Sequence, residues 1–227
     1  YALGLATLIA NARHAGQSID AETAKTALWL ASFSVKEVGH SLAVDDVIRL
    51  LHPLRDQYLD GWASLLSKAA NVRVTKLVRE ELDEIYDHVS NLEDWAKAEL
   101  ADAYASARNE EGACSLLDEI RDDVLRIVAG AYVYHFLAGT GKSCPNADPC
   151  KELELIDQRL GDLEEQVSNP REFLKNNPGL EEYLRWRSVK KLEESLNEVI
   201  KDAQVFALSG LGICALIRGE LNNAMNY

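Results

Sequence analysis

Two spacings in this chain place metal-ligating side chains together. Glu37-Val38-Gly39-His40 is a Glu-x-x-His pair, and at helical pitch both side chains share one face. Glu81, Glu84 and His88 stand at i, i+3 and i+7, so they line one flank of another helix. Carboxylates and imidazoles from two facing helices are what a helical bundle uses to hold a transition metal. Glu37, His40, Glu81, Glu84 and His88 are the candidate ligands of such a metal-binding bundle.

A second pattern overlaps the first. Glu80-Glu81-Leu82-Asp83-Glu84 is followed, after fourteen residues, by Glu99-Leu100-Ala101-Asp102. The order E-E-x-x-E, a gap, then E-x-x-D resembles that of the all-α, MazG-like nucleotide pyrophosphohydrolases. In that family the carboxylates bind Mg²⁺, which holds the triphosphate and activates a water. Several oxygen ligands on facing helices suit that chemistry, because magnesium is a hard cation. The resemblance implies that Glu80, Glu81, Glu84, Glu99 and Asp102 serve as metal ligands or base, with Mg²⁺ as cofactor.

A third constellation is basic. Arg185, Trp186, Arg187, Lys190 and Lys191 fall within seven residues. Residues 171–191 hold six Lys/Arg and three Glu in a chain whose net charge is −13. Arg beside Trp grips a phosphate, stacks a base or meets an acidic partner surface. Nucleic-acid binding is therefore expected nowhere but at 185–191. No nucleophile–base set stands out, since His14, His40, His52, His88 and His135 lie on separate stretches. Gly139-Thr140-Gly141-Lys142-Ser143 lacks the first glycine of a phosphate-binding loop and reads as a helix end with Gly139 as the stop. Cys144 and Cys150 bracket a seven-residue loop, so a local disulfide is one reading. Two free thiols there, with Cys114 and Cys214 buried in helices, is the other.

The elements that carry these residues are helical. Apolar periodicity predicts helices over about 1–14, 20–41 (capped by Ser18 or Asp20), 44–70, 72–108, 113–138, 149–168, 170–175 and 180–222. Pro53 kinks or breaks the third after His52. Val78, Leu82, Ile85, Val89 and Leu92 form a seam of period 3.5, as do Trp186, Val189, Leu192, Leu196, Val199, Ala203 and Phe206. The only long stretch of turn formers lies near 139–149.

Five prolines and thirteen glycines in 227 residues leave too few turns for a sandwich or barrel. The longest uncharged runs, Ile127–Gly141 and Ala203–Ile217, have fifteen residues each, short of the roughly 18 that span a bilayer. The first residues show no basic region and no cleavage site, so no signal peptide is expected. The missing initiator Met points to a trimmed chain.

The expected fold is an all-α multi-helix bundle of about seven to nine helices, with one long loop near 139–149. The expected organisation is a single helical domain over 1–227, with a sub-boundary at that loop between 1–138 and 150–227. The leading expectation for function is a non-enzymatic interaction or assembly protein, cytoplasmic and off the membrane, which self-associates or joins a larger complex. The Mg-dependent pyrophosphohydrolase and the metal-binding bundle are the alternatives.

Overall fold

The computed structural model describes residues 4, 7, 9, 11, 19–38, 41–145, 147–188, 190–224 and 227, without the side chains at 36–38, 41–43, 221 and 222. The helices are α1 Ala21–Val38, α2 Ser41–Leu51, α3 Leu59–Val72, α4 Lys76–Tyr86, α5 Asp94–Ser106, α6 Glu110–Glu119 and α7 Asp123–Thr140. They continue with α8 Pro149–Gln166, α9 Pro170–Asn176, α10 Pro178–Arg187, α11 Leu192–Ile217 and the single turn α12 Leu221–Ala224. Two 3₁₀ turns, His52–Gln57 and Val89–Asn91, join α2 to α3 and α4 to α5.

The all-α bundle is as expected, but its helix count is not. Among the described residues there are 11 distinct helices apart from that last turn, rather than seven to nine. The difference comes from long helices that break. The predicted 72–108 helix stops at Tyr86 and restarts at Asp94. Val89 and Leu92 nevertheless stay buried, so the apolar seam continues through a backbone that has left the α-helix. Apolar spacing reports which side chains go inside, not which carbonyl each N–H meets. The same misreading joined 110–119 to 123–140 and 178–187 to 192–217, whereas the 44–70 stretch does leave the α-helix at Pro53. The predicted 1–14 helix lies mostly outside the described residues.

Local signals set most boundaries. Asp20 caps α1, its Oδ1 accepting from the Thr23 N–H at 2.7 Å, and Ser18 lies outside the described residues. Thr75, Asn109, Asp122 and Asp148 cap α4, α6, α7 and α8 through their side-chain oxygens. Each such cap contributes about 1 kcal/mol. At the other end of α7 the stop is Gly141, not Gly139: it takes φ +68°, the left-handed cap conformation that a side chain resists.

α3 packs between α1 and α5, and α5 packs between α3 and α7. α11 lies against α7, and α8 lies against both. α5 sits at the centre, buried on nearly every side, and its small residues (Ala96, Ala98, Ala101, Ala103, Ala105) let neighbouring helices approach. One cluster of buried apolar side chains runs from Ile9 to Cys214, with members on both sides of the 141–148 link.

Near α3, Trp186 is sandwiched: Trp95 stacks on it at 5.1 Å and Tyr58 lies at 5.8 Å. Gly61 faces this group, and a methyl there would come within 2.5 Å of the Tyr58 ring and 2.9 Å of Trp186. Gly61→Ala gains up to about 1 kcal/mol in helix propensity, yet overpacking of rigid rings costs about 1–3 kcal/mol. The expected result is a lower Tm in a circular-dichroism melt. A raised Tm would mean that the stack yields freely.

The cysteines correct one expectation. Cys144 does not pair with Cys150. Cys114 of α6 is bonded to Cys144, and Cys150 of α8 to Cys214 of α11, with Cα separations of 5.6 and 5.8 Å. Pro149 starts α8 one residue before Cys150, and α8 then runs along α11, which carries Cys150 to Cys214. Cys144 stays in the link and meets α6. No free cysteine remains among the described residues.

Candidate functional site

The five carboxylates of the acidic pattern do not converge. Glu80 is exposed and pairs with Lys76 at 3.3 Å. Glu99 is 1% exposed and forms an ion pair with Lys68 of α3. Asp102, one turn further along α5, accepts from the Asn71 amide at 2.9 Å. Glu81 and Glu84 lie on α4 and face the 3₁₀ turn instead. Where the pyrophosphohydrolase pattern would have a shared cation, the chain supplies its own lysines, arginine and amide.

Of the candidate transition-metal ligands, the Glu37 side chain and His40 lie outside the described residues. His88 is exposed beyond the end of α4. Glu81 and Glu84 are joined by a residue that spacing did not single out, His52. Its Nε2 lies 3.7 Å from Glu81 Oε1. One ligand atom from each of His52, Glu81 and Glu84 falls within 4.8 Å of the others. Burial pushes the Glu81 carboxyl up, opposed by the neighbouring His52. Glu81 and Glu84 stand 29 and 32 positions after His52, so no local pattern links them. The His-Pro pair that ends α2 was the one sign of a special turn.

The basic segment disperses. Trp186 is core, 1% exposed. Arg187 turns inward between the rings of Tyr132 and Tyr183, at 5.1 and 5.2 Å, and donates to the Tyr183 hydroxyl. Arg185 stays outside and pairs with Glu181 at 2.6 Å, and Lys190 with Glu198 at 2.6 Å. Lys191 is exposed at the start of α11. The five residues therefore form no continuous basic face.

Arg187 instead borders a polar hollow of about 360 Å³ beside Asn71, Asp102, Ser106, Tyr132 and His135. The Tyr132 hydroxyl is buried there without a hydrogen-bond partner. Burial pushes the Tyr132 and Tyr183 phenols up and the His135 imidazole down. The hollow thus offers the Tyr132 phenol, the His135 imidazole and the Arg187 guanidinium beside the carboxylates of Asp102 and Asp202. That mixture suits hydrogen bonding to a small polar molecule.

The outer face of α11 is the opposite in character. Val205, Leu216 and Ile217 are 64%, 55% and 67% exposed. Ser209 between them is also exposed. Among the described residues α11 is the one helix long and apolar enough to cross a membrane, and 39% of its most apolar window is buried. The fifteen-residue uncharged run therefore belongs to a 26-residue helix that passes the length test its run alone did not.

In comparisons with protein-family models, with curated proteins and with solved structures, nothing matches the chain.

Proposed function

We propose that this chain is a helical assembly module that pairs with a second copy of itself through the outer face of α11. The observation that supports it is the exposure of Val205, Leu216 and Ile217 on the most apolar long helix of the fold. Fully burying one such side chain stabilises by about 1.5–3 kcal/mol, so a surface that leaves three on one helix half-bare gains by association.

The charges flanking the stripe favour a second copy as the occupant. Lys201 and Asp202 precede Val205 by one turn, and Arg218 and Glu220 follow Leu216. An antiparallel two-fold crossing between Ser209 and Gly212 brings Lys201 toward the end of the partner's α11, where Glu220 follows the left-handed Gly219. Val205 then meets the partner's Leu216, with the exposed Ser209 at the crossing and Gly212 flanked by Ala224 and Tyr227 of the same chain. Such self-complementarity is what a two-fold interface requires. A net charge of −13 works against an anionic lipid surface as the alternative.

The proposal extends to the milieu. All four cysteines are in disulfides, and reducing cytosols keep such thiols apart. A milieu in which disulfides persist replaces the cytoplasmic expectation.

Size-exclusion chromatography with light scattering tests the pairing. The expected mass is twice 25.2 kDa, falling to 25.2 kDa in Val205→Glu/Leu216→Glu with an unchanged circular-dichroism spectrum. A wild-type monomer at high micromolar concentration, or a double variant that still pairs, would refute it. Flotation of the wild type with vesicles, without self-association, would assign α11 to a membrane instead.

A further inference from the structure

We infer that His52, Glu81 and Glu84 form a binding site for one divalent transition-metal ion, of which Zn²⁺ is the natural probe. The site is independent of the α11 face. It arises where the 3₁₀ turn after α2 meets α4. Pro53 at the start of that turn ends the helical hydrogen bonding and leaves His52 facing α4. Glu81 and Glu84, one helical turn apart, come from α4 to the same point. One imidazole nitrogen and two carboxylates are a donor set that suits a borderline cation such as Zn²⁺.

The geometry leaves room for the ion. Tetrahedral Zn²⁺ with bonds of about 2.0–2.1 Å sets its ligand atoms about 3.3–3.4 Å apart. His52 Nε2 and Glu81 Oε1 are 3.7 Å apart, and the three ligand atoms lie within 4.8 Å of one another. Small side-chain adjustments close that gap.

A separate observation calls for a cation at this point. The Glu81 side chain is 9% exposed, and its buried Oε2 has only the neutral Trp62 indole N–H beside it, too poorly placed to make a full hydrogen bond. A buried carboxylate met by a neutral N–H is costly to keep charged, Arg55 offsets that only in part, and His52 supplies a positive charge only when protonated. Arg55 is nearby, but its Nη1 lies 2.6 Å from Oε1 of Glu84 and its Nε 3.3 Å from Asp56. It thereby orients Glu84 as an outer partner and leaves the second Glu84 oxygen for the ion. Trp62 closes the inner side, its ring edge-on to the imidazole at 5.9 Å. The outer side is open, since Glu84 is half-exposed, so a water completes the coordination.

Cysteine does not compete for the ion, because all four thiols are in disulfides. The test is calorimetric titration of chelator-stripped protein with Zn²⁺, repeated with Co²⁺ to read its visible ligand-field bands. The expected result is one ion per chain, with tetrahedral Co²⁺ absorption. His52→Ala and Glu81→Gln should each weaken binding by more than about tenfold, since even loss of an outer-shell partner costs about 10–100-fold. His88→Ala and Glu80→Gln should bind as the wild type does. If Glu81→Gln misfolds, His52→Ala decides, because His52 is partly exposed and its loss leaves the core intact. No stoichiometric binding to the wild type, or binding that survives His52→Ala, would overturn the assignment.

Discussion

Lys68→Met is expected to lower the Tm by on the order of 10 °C, and Lys68→Met/Glu99→Leu to restore most of that loss. Glu99 is 1% exposed on α5, and Lys68 of α3 is its ion-pair partner. Burial pulls the Lys68 ammonium down, and Glu99 beside it pushes back. Oε1 of Glu99 already has no hydrogen-bond partner. Removing the lysine would leave a buried carboxylate with no hydrogen-bonding partner and only the more distant Arg187 guanidinium to offset its charge. Breaking such a buried pair from one side costs about 3–5 kcal/mol. In a domain near this size each kcal/mol moves the Tm by about 2–4 °C. Replacing both partners with apolar side chains of similar volume removes the desolvation penalty as well as the attraction, and is often neutral or stabilising. A double-mutant cycle read by circular-dichroism melts separates these terms. A single variant within about 0.5 kcal/mol of wild type, the usual scale of surface changes, would show that water reaches the pair.

The fate of that pair shows what was legible in the sequence. The spacing of Glu99 from Glu84 marks it, through the resemblance it carries, as a metal ligand or base shared between facing helices. Lys68 was not singled out at all. Both lie in stretches expected to be helical, but α5 is buried on nearly every side, so its polar residues go inside as well. Periodicity marks an exposed face only where a helix has one. Helix α5 reads DWAKAELADAYAS, and its alanines pack closely enough to take Lys97 and Glu99 below the surface.

The same limit applies to Arg187. Arg185-Trp186-Arg187 looks like one basic patch along the chain. On α10, successive residues turn by about 100°, so Trp186 and Arg187 face inward while Arg185 faces water. The Tyr132 and Tyr183 rings that receive Arg187 come from α7 and from α10 one turn earlier. Only the second was within reach of local spacing. Caps were easier to read, because a cap is settled within three residues. Asp20, with its side-chain oxygen on Thr23, is an example. His52 with Glu81 and Glu84 needed the tertiary meeting of two elements, as did the cysteine pairing.

That pairing carries the other large expected effect. Cys150→Ala/Cys214→Ala should lower the Tm by on the order of 10 °C. The Cys150–Cys214 bridge closes a loop with a sequence separation of 64, and the Cys114–Cys144 bridge one of 30. Restricting the unfolded chain in this way stabilises by about 4 kcal/mol for the longer loop and slightly less for the shorter. At about 2–4 °C per kcal/mol, either loss is easily measured. The two loops do not overlap. Cys144 and Cys150 stand six residues apart, so the bridges staple α6, the link, α8 and α11 in series. The link is thus pinned at both ends to helices that share one core, and a reductant should loosen α8 before it loosens α5. Hydrogen exchange of the reduced protein should show protection lost first in 149–166. Alkylation of the denatured, unreduced chain gives the decisive control. Disulfides 114–144 and 150–214 predict no labelled cysteine, whereas a Cys144–Cys150 loop would leave Cys114 and Cys214 free to react. Labelling of those two would remove both staples and the stability assigned to them.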